Sequence, residues 1–153
     1  MSELEFITDQ LKRAFDGGAW HGPALMELLD GIDARAAAAR PIASGHNIWE
    51  LALHIAGWER VVTRRLQGQA FTLSDDENFG HTGPETEPAW REAIRTVGSN
   101  HTGLVRVVQG LSDARLNDPV PGKDYNVRFM LIGSAQHAAY HGGQIALLKR
   151  ARA

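Results

Sequence analysis

"QHAAYHGGQI", residues Gln136–Ile145, sets two histidines four positions apart in a stretch that otherwise reads as buried helix. At about 100° per residue, His137 and His141 lie about 40° apart on one helical face. Met130, Gln144 and Leu148 fall within about 20° of His137 by the same arithmetic, so the stripe around the pair is mostly apolar. A helix with such a face needs other helices to bury it, and the rest of the chain supplies them.

Upstream, Asn126 opens this final helix after the loop "SDARLNDPVPGKDY" (112–125). A third helix is predicted over about Glu87 to Leu111, with Pro88 tolerated in its first turn. Trp90, Ile94, Val97, His101, Leu104, Val108 and Leu111 keep a heptad phase along it. The second helix starts at Asn47, with Glu50 in the capping-box position, and runs to about Gln67. Its inward stripe is Leu51, His54, Trp58, Val61 and Arg65. Between these two helices, residues 68–86, "GQAFTLSDDENFGHTGPET", keep no sustained period and are too long for a simple helix–helix turn. They read as a crossover or a functional loop.

The first element opens on a Ser2/Glu5 capping box. Leu4, Ile7, Leu11, Ala14, Gly18, His21, Leu25, Leu28 and Ile32 keep helical spacing, which predicts one long helix kinked or interrupted around "DGGAWHGP" (16–23). "DARAAAARPIASGH" (33–46) closes it, with Pro41 and Gly45 as punctuation. No strand pair, internal repeat or extended low-complexity tract is present. The expectation is one domain spanning 1–153, an all-α four-helix bundle with a long crossover between helices 2 and 3.

Composition narrows the function. A net charge of −2 and no Lys/Arg cluster with interleaved aromatics argue against nucleic acid. The charged N-terminal stretch "MSELEFITDQLKRAF" lacks a signal peptide's apolar run and cleavage site. No segment reaches the ~18 apolar residues of a membrane span. The expected partners are small molecules, and the expected compartment is the cytoplasm. Cysteine is absent, so a thiolate nucleophile or a Cys-ligated metal is excluded and a metal site must use nitrogen and oxygen donors.

Paired imidazoles on neighbouring turns can converge on one metal ion, and His54 on the second helix would complete a three-histidine site with open positions. The alternative is that each is a hydrogen-bonded core histidine. Ala138 stands where an H-E-x-x-H motif carries its Glu, which argues against a zincin-type protease. His21, at the predicted kink, is a candidate for orienting a ligand, touching substrate or acting as a base. His101 reads as a satisfied core residue. Glu50 reads as a helix cap, with a carboxylate-ligand role as the alternative. His46 and His81 fall in predicted loops, His81 within reach of the site if the long loop folds over it.

"HNIWELALHIAGWERVV" (46–62) followed far downstream by "QHAAYHGGQIALLKR" (136–150) resembles the DinB-like (YfiT-like) family of metal-binding four-helix bundles. The resemblance implies that His54, His137 and His141 are metal ligands, that the bundle carries a crossover between its second and third helices, and that the protein forms a homodimer. It also implies a divalent metal (zinc, nickel, iron or manganese) and, for some relatives, S-transfer or isomerisation with a low-molecular-weight thiol. The preferred expectation is metal- and thiol-dependent transfer to an electrophilic small molecule. Tyr140, His21 and Gln144 are the candidates for proton or ligand handling. Two alternatives stand beside it: a metal-dependent hydrolase of a small amide or ester, and a non-enzymatic metal- or ligand-binding stress protein.

Overall fold

The computed structural model describes residues 1–80 and 83–151. Its described residues form seven α-helices: α1 (Glu3–Phe15), α2 (Leu25–Leu29), α3 (Ala34–Ala38), α4 (Ile48–Leu66), α5 (Asp75–Phe79), α6 (Glu87–Gln109) and α7 (Val127–Arg150), with a short 3-10 turn at Asp113–Asn117. Four of them, α1, α4, α6 and α7, are long. Side-chain oxygens start each of these: Ser2, Asn47, Thr86 and Asn126 each accept from a backbone N–H of the first turn. None of the helices is long and apolar enough to cross a membrane.

The long helices close a ring in the order α1, α7, α4, α6. Directions follow from the pairs that meet. Trp49 packs on Trp90 near the starts of α4 and α6, and Glu59 meets His101 further along both, so these two helices run parallel. Glu3 and Arg128 pair near the starts of α1 and α7, at 2.5 Å, so these too are parallel. His54 meets His137 while the later Val62 and Leu66 share a core with the earlier Met130, so α4 and α7 are antiparallel. The topology is up–down–down–up, and the connection from α4 to α6 must travel back along the bundle. The expected crossover is there.

Of the two forms expected for the first element, kinked or interrupted around residues 16–23, the chain takes the interrupted one. α1 ends at Phe15, capped by Asp16, and Gly17 and Gly18 take φ of 152° and 72°, a region that side chains with a Cβ rarely enter. Leu25, Leu28 and Ile32 are buried as their phase predicts, but α2 and the chain beyond it carry them across one end of the bundle.

The core falls into two apolar clusters. One, toward the start of α4, gathers Trp49, Ile55, Trp90, Val97 and Ile145 with residues of α2 and α3. The other gathers Leu4, Leu11, Leu104, Val108 and Leu131 around the buried Leu116 of the 3-10 turn. Where they meet, at mid-height, the buried side chains are polar: His54, Glu59 and His101, with His141 nearby, while Arg65 is buried near the end of α4. Burying such groups costs free energy unless each finds a partner, and their partners define two separate sites.

Candidate metal centre

His54 stands on the inward face of α4, 5% exposed, and His141 on α7 is 8% exposed. His137 is half-buried between them. One ring nitrogen of each lies within 4.8 Å of the others, a group that can hold a metal ion. The Nε2 atoms of His54 and His137 are 3.0 Å apart. Two nitrogens bound at ordinary Zn–N distances in tetrahedral geometry stand about 3.3 Å apart, so the spacing needs little adjustment to accept an ion.

The second nitrogens fix the tautomers. His54 Nδ1–H donates to the Asn78 carbonyl at 2.8 Å, and His141 Nδ1–H donates to Gln144 Oε1 at 2.7 Å. Both arrangements leave Nε2 as the lone-pair nitrogen, the form a metal needs. Burial, with the neighbouring His141 and His54 rings, pushes the pKa of His137 down to about 3. Burial also lowers that of His54. His54 and His137 are therefore neutral at pH 7. Three imidazole nitrogens, two of them with the lone pair fixed on Nε2, fit a divalent ion of the zinc, iron or nickel type.

The crossover completes the shell. Ser74 and Glu77 form a capping box that starts α5, and Arg60 pairs with Glu77 at 2.9 Å. α5 thereby lies along α4, and its end reaches the site. Asn78 receives the His54 proton on its carbonyl and accepts from Trp58 Nε1 on its side-chain oxygen at 2.9 Å. Phe79 is sandwiched between two imidazoles, 3.9 Å from the His54 ring and 3.8 Å from that of His46, nearly parallel to both. Neither Asn78 nor Phe79 stood out in the sequence. The S-x-x-E pattern at 74–77 was the available signal for the helix that delivers them.

Of the remaining candidates, Gln144 is exposed and serves its own helix through His141, one turn back. Tyr140 is 68% exposed, its ring 5.0 Å from that of His141. His21 is exposed in the turn after α1 and makes no hydrogen bond or ring contact with the cluster. Glu50 is a cap. It bonds the Asn47 backbone N–H, Arg40 and His46; burial would raise its pKa, but these bonds outweigh it and hold the carboxyl low. His81 lies outside the described residues.

His101 belongs to a separate pair. Its Nδ1 bonds Glu59 Oε1 at 2.8 Å, and its ring stacks on Phe15 at 3.7 Å. Glu59 is 3% exposed and His101 4%, and burial pushes the Glu59 carboxyl up against the opposing pull of His101.

Beside the three-histidine cluster, a mostly apolar cavity of about 380 Å³ runs between α4 and α7, with His54 and His137 in its wall. The site thus combines a metal-capable cluster with space for a small molecule. A family model described as DinB superfamily matches residues 19–145. No curated protein and no solved structure matches the chain.

Proposed function

This chain belongs to the DinB superfamily, and on that premise we propose that it is a divalent-metal-dependent enzyme that transfers a small thiol onto an electrophilic carbon. The observation carrying this reading is the convergence of three imidazoles on one point beside an apolar cavity. His54, His137 and His141 would hold the ion. A divalent cation there supplies a depressed pKa for a bound thiol or water. The chain contains no cysteine, so the thiol comes from a cosubstrate. In the reaction a C–S bond forms as the bond to the leaving group breaks. The leaving group departs with that electron pair, and the thiol proton passes to it or to solvent.

The protein's own contribution is placement. The Asn78 carbonyl and Gln144 hold two imidazoles in the ligating tautomer. Trp58, Val62 and Met130 line the cavity with apolar surface and keep water from the electrophile. Tyr140 and His21 are assigned no chemical step. Tyr140 instead joins Phe129, Ile132 and Leu147, which are 41–68% exposed along α7, in a stripe that supports the homodimer in our reading. We assign the protein to the cytoplasm, where low-molecular-weight thiols stay reduced.

Elemental mass spectrometry on untagged protein, beside His54→Ala and His137→Ala, is the first test. Near-stoichiometric metal in the parent and its loss in both variants is the expected result. Metal-dependent consumption of thiol with an activated aryl halide would then establish the reaction class. Ester or amide turnover without thiol would assign hydrolysis instead, and bound metal without any turnover would assign a binding protein. No metal after reconstitution with zinc, nickel, iron and manganese would end the reading.

A further inference from the structure

Arg65 sits on the buried face of α4 and is 5% exposed. Its Nε donates to the Phe71 carbonyl at 2.9 Å, and its Nη1 donates to the Tyr125 hydroxyl at 2.9 Å. The guanidinium carbon lies 5.8 Å from the centre of a Trp58 ring. Among the described residues no carboxylate comes within ion-pair distance of it, although Arg13, Arg40, Arg60, Arg95, Arg115 and Arg128 all have one. Those six are all more exposed than Arg65, and the other described arginines without a carboxylate, Arg35, Arg64, Arg91, Arg106 and Arg150, are exposed to solvent, where pairing matters least. A permanently charged guanidinium buried among aromatics without a counter-ion is the costly arrangement. Neutral acceptors take two of its five N–H donors and leave Nη2 unbonded.

The cavity explains where the missing anion belongs. His54, Trp58, Val62 and Arg65 follow one another along one face of α4, and His137, Ser134, Met130 and Phe129 run antiparallel along α7; all eight line the same cavity. Along the axis of α4, His54 and Arg65 are separated by about 16 Å of rise, and the long Arg side chain leans back toward the helix start. The cavity therefore has the imidazoles toward one end, the guanidinium toward the other, and apolar surface between. Among the described residues, Arg65 is the sole cationic side chain in its lining. One positive charge balances a carboxylate and leaves a dianionic phosphate in excess. Tyr125, which accepts from Arg65, keeps its own hydroxyl proton to donate.

We propose that Arg65 and Tyr125 form an anchor for the carboxylate of a small apolar acid, whose far end is thereby presented to the three histidines. The assignment rests on the functional reading above for what happens at that far end. The carboxylate can be carried by the electrophile or by the thiol.

The test is binding to metal-free, chelator-treated protein, so that a carboxylate cannot score by ligating an ion. Calorimetry or ligand-observed NMR would compare 3-phenylpropionate with its neutral amide, and 3-mercaptopropionate with its amide. A preference of about 10-fold for the acid, the size of one charge-assisted hydrogen bond, is expected in at least one pair, and the pair showing it identifies the carrier. Arg65→Gln should abolish that preference while leaving metal content unchanged, and Tyr125→Phe should reduce it about threefold. Because Arg65 is buried, circular dichroism must first show that its variant folds. The parent comparison and Tyr125→Phe stand without it. Equal binding of acid and amide in both pairs, or an undiminished preference in folded Arg65→Gln, overturns the proposal. Loss of metal binding in the parent with the acid preference intact would fail the metal reading and leave the anchor standing.

Discussion

Two histidine constellations occupy the middle of this bundle, and α4 contributes to both. One gathers His54, His137 and His141. The other joins His101 to Glu59. Each solves the cost of burying imidazole differently. In the first, the Nδ1 atoms of His54 and His141 are spent on Asn78 and Gln144, the Nε2 atoms converge, and an apolar cavity adjoins them. In the second, a carboxylate takes Nδ1, Phe15 covers the ring, and Nε2 and Glu59 Oε2 are sealed without a partner. An inward-facing histidine is thus no sign of a ligand. The sign is a second nitrogen already satisfied and a lone pair left facing others of its kind.

The comparison can be broken most decisively at the ligands. His54→Ala or His137→Ala should weaken metal binding by roughly 1,000-fold, while His101→Ala leaves metal content unchanged; equilibrium dialysis against a zinc indicator reads both. The reverse holds for stability. Glu59→Ala leaves His101 buried without its carboxylate and should destabilise by about 3 kcal/mol with metal content intact, as urea melts would measure. If Glu59→Ala instead strips the metal, the two constellations are one network.

Acid titration separates them by sign. The pKa of His137 is held at about 3, well below its ordinary 6.5, so below pH 6.5 the unfolded chain binds a proton there that the folded chain refuses until pH nears 3. Metal-free protein should be unaffected by this group above pH 6.5 and lose up to about 1.4 kcal/mol per pH unit as the pH falls toward 3. His137→Ala should flatten that acid limb. Glu59 runs the other way: its carboxyl is raised above the ordinary 4.5, so its contribution is lost as pH rises, and Glu59→Gln should remove the loss. The smallest effect falls on the tautomer partner. Gln144→Ala removes the acceptor that holds His141 and should cost about 10-fold in metal affinity with little change in melting temperature.

Much of this was legible in the chain. The Asn47/Glu50 capping box and the Asn126 cap marked where α4 and α7 begin, and the heptad from Trp90 to Val108 marked the buried face of α6. His54 and the H-x-x-x-H pair could be read because each falls on a helical stripe, where spacing dictates direction. The glycines at 17 and 18 marked a weak point after Phe15 but left kink and break both open, because the side-chain phase continues through Leu25 and Ile32. Asn78 and Phe79 were not legible at all, because what they do depends on a segment of five helical residues docking against α4. Arg65 was read as inward-facing, but its lack of a counter-charge is a fact about three dimensions. Any of the chain's acidic residues could have met it.

The separation of the ligands along the chain has a thermodynamic consequence. His137 and His141 are joined by a single helical turn, whereas His54 and His137 are 83 positions apart. Ordering the first pair asks almost nothing of the rest of the molecule, and an otherwise unfolded chain can offer an ion those two nitrogens weakly. His54 joins only when α4 and α7 have docked, so an ion held by all three would act as a removable cross-link closing a long loop. The stabilisation such an ion confers is set by the gain on adding His54, since any affinity of the unfolded chain for metal subtracts from it.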